Sequence, residues 1–126
     1  MYSLYILHVY IGIIISLAEH NGSYTSAFKN IYDWISVIEK TVWSNKPLIL
    51  LSTSDGQNAG KTVLQTALSR FSRESREEIP HFSLPKFNEN FSDTDGIINT
   101  KLIEELDKQI SIFSGQVDSL LDSGNY

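Results

Sequence analysis

Residues 47–71, PLILLSTSDGQNAGKTVLQTALSRF, decide the fold. An apolar run, Leu48 to Leu51, leads into a glycine-containing loop. Beyond it Val63, Leu64, Ala67, Leu68 and Phe71 recur at helical spacing. The stretch therefore reads as a buried strand, a loop and a helix over about 60–73. The loop ends in Gly60-Lys61-Thr62, the ending of a triphosphate-binding loop. That motif needs a glycine, four residues and then Gly-Lys-Ser/Thr. Here only three residues separate Gly56 from Gly60, and Asp55 stands where the first glycine belongs. The count matters because such a loop wraps a phosphate with successive backbone N–H groups. A carboxylate at its mouth repels the anion. No later strand ends in the aspartate that an NTPase site requires. The two glycines then permit a tight strand-to-helix turn, or they bring backbone N–H groups to a different, acceptor-rich ligand.

Upstream, HVYIGIIISL (residues 8–17) is short, continuous and β-branched, as a central strand buried on both faces is. A strand is expected over about 9–17. A signal peptide is the competing reading, with Ala18 near a cleavage site, but no Lys or Arg precedes Lys29. The run also carries Tyr2, Tyr5, His8, Tyr10 and two serines, poor material for a span that needs about 20 apolar residues. AEHNGSYT reads as a loop. A helix over about 25–40 follows, with Phe28, Ile31, Tyr32, Ile35 and Ile38 on one stripe and Ser23 or Thr25 as its cap. Downstream, IPHFSLPKF is a Pro-bounded edge strand, and NENFSDTDG is an irregular, turn-rich loop. A last helix over about 99–114 buries Leu102, Ile103, Leu106, Ile110 and Phe113, and residues 115–126 form a frayed tail.

This alternation predicts one α/β domain over 1–126, with parallel strands joined by right-handed crossovers. Sites in such sheets lie at the carboxyl ends of the strands. Both unusual loops, AEHNGSYT and STSDGQNAG, leave carboxyl ends and so share one rim. A net charge of −5 and scattered basic residues argue against nucleic acid. Without cysteine there are no disulfides, thiolate metal sites or cysteine nucleophiles. Asp93 and Asp95 are spaced like part of a calcium loop but lack the remaining ligands, so turn formation and helix capping explain them better.

Residues 18–36, AEHNGSYTSAFKNIYDWIS, resemble the signature of the NADPH-dependent FMN reductase family. There a strand ends in Pro-Glu-Tyr-Asn-Gly-Ser and runs into a helix reading Leu-Lys-Asn-Ala-x-Asp-Trp-hydrophobic-Ser. Glu19, Asn21, Gly22 and Ser23 match the loop. Lys29, Asn30, Asp33, Trp34 and Ser36 match the helix. Trp43, Lys46 and Pro47 match the W..KP before the family's next strand. Ser52, Ser54, Gly56 and Gly60 match its Ser-x-Ser-x-Gly loop, and FSDTDGII its Phe-Asp-x-x-Gly stretch.

The resemblance implies a flavodoxin-like three-layer sandwich with a parallel sheet. It implies FMN at the rim, with Glu19, His20, Asn21, Gly22 and Ser23 along the isoalloxazine and Ser54, Asp55 and Gly56 approaching the same ring. It further implies hydride transfer from NADPH or NADH to the flavin and onward transfer to a small-molecule acceptor such as a quinone, free flavin, metal or dye. No acid–base side chain is then required. A cytoplasmic homo-oligomer without nucleic-acid or membrane partners is the matching expectation. Asn21-Gly22 is alternatively no more than a turn, and Trp34 a core or subunit contact.

Departures from the family pattern are specific. His20 replaces Tyr, and Ala18 replaces Pro. Asp55 puts negative charge near a cofactor that becomes anionic on reduction. The family's opening strand and phosphate-holding loop have no counterpart in the sequence, which matches the third to fifth strands of the fold. An N-terminally truncated flavodoxin-like domain is expected, and its exposed sheet edge invites another chain. Two functions follow as expectations: an FMN-dependent NAD(P)H oxidoreductase, or an inactive relative that serves as an oligomer or interaction module.

Overall fold

The computed structural model describes residues 11–125. Three strands form a parallel sheet: β1 (Ile13–Leu17), β4 (Leu48–Thr53) and β5 (His81–Leu84), in the order β1-β4-β5. Ile15 aligns with Leu50, and Leu50 with His81. A hairpin of β2 (Glu19–His20) and β3 (Ser23–Tyr24) follows β1, and another of β6 (Phe91–Ser92) and β7 (Gly96–Ile97) follows β5.

Helix α1 (Ser26–Ile38) starts where the Thr25 hydroxyl accepts the Phe28 N–H at 3.1 Å. That bond satisfies one of the four N–H groups a helix start leaves unpaired. Helix α2 (Lys61–Phe71) buries Val63, Leu64, Ala67 and Phe71, four of the five positions expected inward. With α1 it covers one face of the sheet. The core there joins Leu17, Leu48 and Leu50 to Tyr32, Ile35, Val42, Trp43 and Phe71. Burial of this apolar area is the dominant stabilising term. The short helix α3 (Phe87–Asn90) lies between β5 and β6. Helix α4 (Thr100–Ser123) takes the opposite face, where Phe113 and Val117 lie so close to Gly12 that a Cβ there would meet both at 2.9 Å. Two of its amides also hold main chain before and within β5: Gln116 Nε2 donates to Glu78 O at 2.7 Å, and Gln109 Oε1 accepts from His81 N at 3.1 Å.

Five expectations need correction. Strand β1 is an edge strand among the described residues, and Ile14, on the face that α4 covers only in part, is 65% exposed. (Residues 9 and 10 of the expected strand lie outside the described residues.) Ile31 and Ile38 are exposed rather than inward, since α1 packs through Tyr32 and Ile35. The last helix continues to Ser123, so residues 115–123 are helical and not a frayed tail; Gly124 closes the helix in the left-handed conformation at φ 68°. None of its residues is fully buried, because it covers the sheet on one side only. AEHNGSYT and NENFSDTDG contain antiparallel hairpins instead of open loops.

Candidate functional site

The site is built on the carboxyl ends of β1 and β4. Past Leu17 the chain folds back at Asn21 and Gly22, whose φ angles are 52° and 77°. Two successive left-handed residues make the tight turn that fits the strand twist, and Asn-Gly is its preferred sequence. His20, Asn21, Gly22 and Ser23 are exposed along the hairpin, and a Cβ placed on Gly22 would meet nothing within 4 Å. The turn is thus not packed onto the protein, and its main chain faces open space.

The second loop, residues 54–60, is anchored at its far end. Ser52, 3% exposed, donates its hydroxyl to Ala59 O at 2.7 Å and lies 2.8 Å from Ser83 Oγ. Ala59 and Gly60 are left-handed, with φ 58° and 71°. A Cβ on Gly60 would stand 3.0 Å from Ser52 Cβ, so the close approach itself demands glycine. Ser54 is half-buried, whereas Asp55 and Gly56 are exposed; the only neighbour a Cβ on Gly56 would meet is Ser54 Oγ at 3.8 Å.

Glu19 joins the two loops. Its Oε1 accepts the Val63 N–H at 2.7 Å, and its Oε2 accepts from Asn58 Nδ2 at 3.4 Å. Val63 is the third residue of α2, whose own N-cap, Gly60, supplies no side-chain bond, and whose first turn holds no acidic residue. The Glu19 carboxylate therefore caps α2 from a neighbouring element, where negative charge also favours the helix dipole. A third segment braces the second loop. Lys86 N donates to Gly56 O at 3.1 Å and Phe87 N to Ser54 O at 3.0 Å.

All eight residues expected at the rim lie on these two loops, and the Glu19 bonds bring the loops together. Glu19 differs from the others in that both carboxylate oxygens already have protein partners. Sequence reasoning missed Asn58, Val63 and the Lys86–Phe87 brace. Pro85 directly after a strand was the available sign that the chain turns back there. It also missed Tyr24, at the root of the hairpin. The Tyr24 and Tyr32 hydroxyls are buried without a protein partner among the described residues. Burial raises the Tyr24 phenol above the ordinary tyrosine range, and Tyr32 adds to this. Burial likewise raises Tyr32, helped by the Glu74 carboxylate.

The resulting rim is open: Gly22 and Gly56 leave room for close approach of another molecule to the main chain. Two lysines flank the second loop: Lys61 opens α2, and Lys86 pairs with Glu89 at 3.4 Å. No group of three or more metal-ligating side chains occurs among the described residues. Nor is any described helix long and apolar enough to cross a membrane.

The fold is similar to that of FerB, a flavoenzyme NAD(P)H:(acceptor) oxidoreductase from Paracoccus denitrificans, with a TM-score of 0.69 and 17% sequence identity. The similarity covers 90% of this chain and 64% of that chain. No curated protein matches the sequence. The family model for NADPH-dependent FMN reductases matches residues 8–89, more than half of the chain and both rim loops. On that match, the chain belongs to the NADPH-dependent FMN reductase family.

Proposed function

We propose that the two rim loops hold the isoalloxazine end of FMN and that the protein passes electrons from NADPH or NADH to a small acceptor. The observation that carries this is the Glu19 clasp, which sets the open main chain of Asn21-Gly22 and of Ser54–Gly56 on one rim. FMN would supply two-electron redox chemistry there, taking up hydride from a nicotinamide. The chain's own contribution is position and electrostatics. Main-chain N–H groups of the hairpin turn suit the acceptors on the ring's pyrimidine edge. Each neutral hydrogen bond contributes only about 0.5–1.5 kcal/mol net, so several must act together. Asp55, exposed on the second loop, disfavours added negative charge beside it and so sets the electron affinity of the site lower. The open rim in front of Gly22 and Gly56 would leave room for a nicotinamide and then for an acceptor of the quinone, flavin or metal type.

The test is consumption of NADPH and NADH followed at 340 nm, with and without FMN, using a quinone as acceptor. FMN-dependent turnover is expected. Absence of both turnover and flavin binding would refute the reading. A second reading, a catalytically silent relative that works by association, has one observation in its favour: the exposed apolar side chains of β1 and α1.

A further inference from the structure

Strand β5 runs along the floor of a groove. Helix α2 flanks it on one side and α4 on the other, and the space between them is about 550 Å³. That is the size of a small-ligand site. The Leu50 N–H donates to Pro80 O, so Phe82 and Leu84 turn their amides to β4, while His81 and Ser83 turn theirs outward into the groove. Gln109 Oε1 takes the His81 N–H at 3.1 Å. The Ser83 N–H has no such acceptor among the described residues, where no strand lies beyond β5. The His81 ring offers a second unused polar atom. Its Nδ1 lies 3.0 Å from Ile79 O, and a carbonyl only accepts, so Nδ1 carries the hydrogen and Nε2 of the neutral ring is left as an acceptor.

The groove's charge runs against that of the chain. Lys61 and Lys108 line it, with one carboxylate, Glu105. None of the three is in an ion pair among the described residues. On a chain of net charge −5, a cleft with an excess of positive charge favours an anionic ligand. The two lysines stand at opposite ends. Lys61 opens α2 directly after Gly60, at the carboxyl end of the sheet. Lys108 precedes Gln109, which reaches the first residue of β5. Three residue steps along β5 separate those levels by about 10 Å. The groove also reaches the rim: Pro85 lines it, and the next residue, Lys86, donates its N–H to Gly56 O at 3.1 Å.

We propose that this groove seats the phosphorylated adenosine half of the nicotinamide nucleotide. Hydride transfer needs the nicotinamide ring at the rim, and the rest of the dinucleotide must leave the rim along some surface. The groove starts beside the second rim loop and carries one cation near each end. Lys61 meets the pyrophosphate near the rim, and Lys108 meets the 2′-phosphate of NADPH at the far end. His81 Nε2 and the Ser83 N–H serve the ribose and base between them. NADH lacks the group that Lys108 meets and loses that contact. The choice of this nucleotide rests on the flavin reading of the rim proposed above, whereas the lysine-lined groove stands without it.

The experiment is titration calorimetry of the 126-residue chain with adenosine 2′,5′-bisphosphate and with inorganic phosphate, without flavin, together with NMR of the Ser83 amide. The bisphosphate should bind saturably, at least about tenfold tighter than phosphate, and shift the Ser83 amide. Lys61→Gln and Lys108→Gln should each weaken it about fivefold or more, and Lys61→Arg should retain it. Glu105→Gln should tighten it about threefold, an effect that a merely structural role would not give. Lys101→Gln, outside the groove, should leave it unchanged. All these side chains are exposed, and circular dichroism checks that each variant is folded. With FMN and a quinone present, Lys108→Gln should raise the KM for NADPH more than that for NADH. No bisphosphate binding up to about 10 mM, binding no tighter than that of phosphate, or an affinity indifferent to both lysine substitutions would overturn the proposal. Failure of the flavin reading shows separately, as absence of FMN binding.

Discussion

Replacing Glu19 tests whether the two rim loops are one unit. The Val63 N–H bond at 2.7 Å is short and charge-assisted, whereas the Asn58 bond at 3.4 Å is at the limit of useful geometry. A hydrogen bond to a charged group contributes about 1.5–3 kcal/mol when buried, and losing a helix cap costs about 0.5–2 kcal/mol. Glu19 is half-buried, so water takes over part of its work. Glu19→Ala should then cost about 1–2 kcal/mol, a fall of roughly 4–8 °C in melting temperature for a domain of this size. Glu19→Gln keeps the acceptor oxygen and loses the charge, so it should cost about half as much. Thermal and urea unfolding measure both. Flavin affinity should follow the same order, wild type above Gln above Ala, because the loops lose registry before they lose their own residues. An alanine variant within about 0.3 kcal/mol of wild type, or a glutamine variant worse than alanine, would refute the clasp.

Other outcomes follow from the same rim and core. Gly60→Ala meets both a left-handed φ of 71° and a 3.0 Å approach to Ser52 Cβ, so a loss of about 1–3 kcal/mol is expected in urea unfolding. Ser52→Ala leaves the buried Ala59 carbonyl without its donor, which should cost about 1–3 kcal/mol and loosen the second loop, visible as faster hydrogen exchange at Lys61 and Thr62. Tyr32→Phe removes a buried hydroxyl that lacks a protein partner, and it should be neutral or stabilising by up to about 1 kcal/mol. The raised phenols of Tyr24 and Tyr32 fix the sign at high pH. Below about pH 10, folded and unfolded states both hold these protons and the stability is full. Above it the unfolded chain releases them first, so stability falls as pH rises, and Tyr32→Phe should flatten that fall.

The strand–loop–helix of residues 48–71 was legible because local chemistry decided it: a continuous apolar run, two glycines and a clean helical stripe. The rim followed from topology, since both loops leave carboxyl ends of parallel strands. The clasp was not legible. Glu19 and Val63 are far apart in sequence, and nothing local shows that a carboxylate in one loop caps a helix in another. Strand β1 misled for the opposite reason. Its composition is that of a central strand, which is what it would be with a neighbour on its outer side. Ile31 and Ile38 fit the α1 stripe by spacing alone, but the helix turns Tyr32 and Ile35 inward, and spacing cannot separate a core flank from an exposed one. The last helix ran past its expected end because Gly115, although a poor helix former, costs only about 1 kcal/mol there.

Titration of the protein with FMN and with riboflavin, followed by quenching of flavin fluorescence, tests the central claim most directly. If the rim loops hold the isoalloxazine, both flavins bind saturably, and their affinities lie within about tenfold because the two loops meet the ring that both flavins share. Asn21→Ala combined with Gly56→Val should weaken both alike. No binding of either flavin up to about 100 μM, or binding of FMN alone that survives these rim substitutions, would contradict the account.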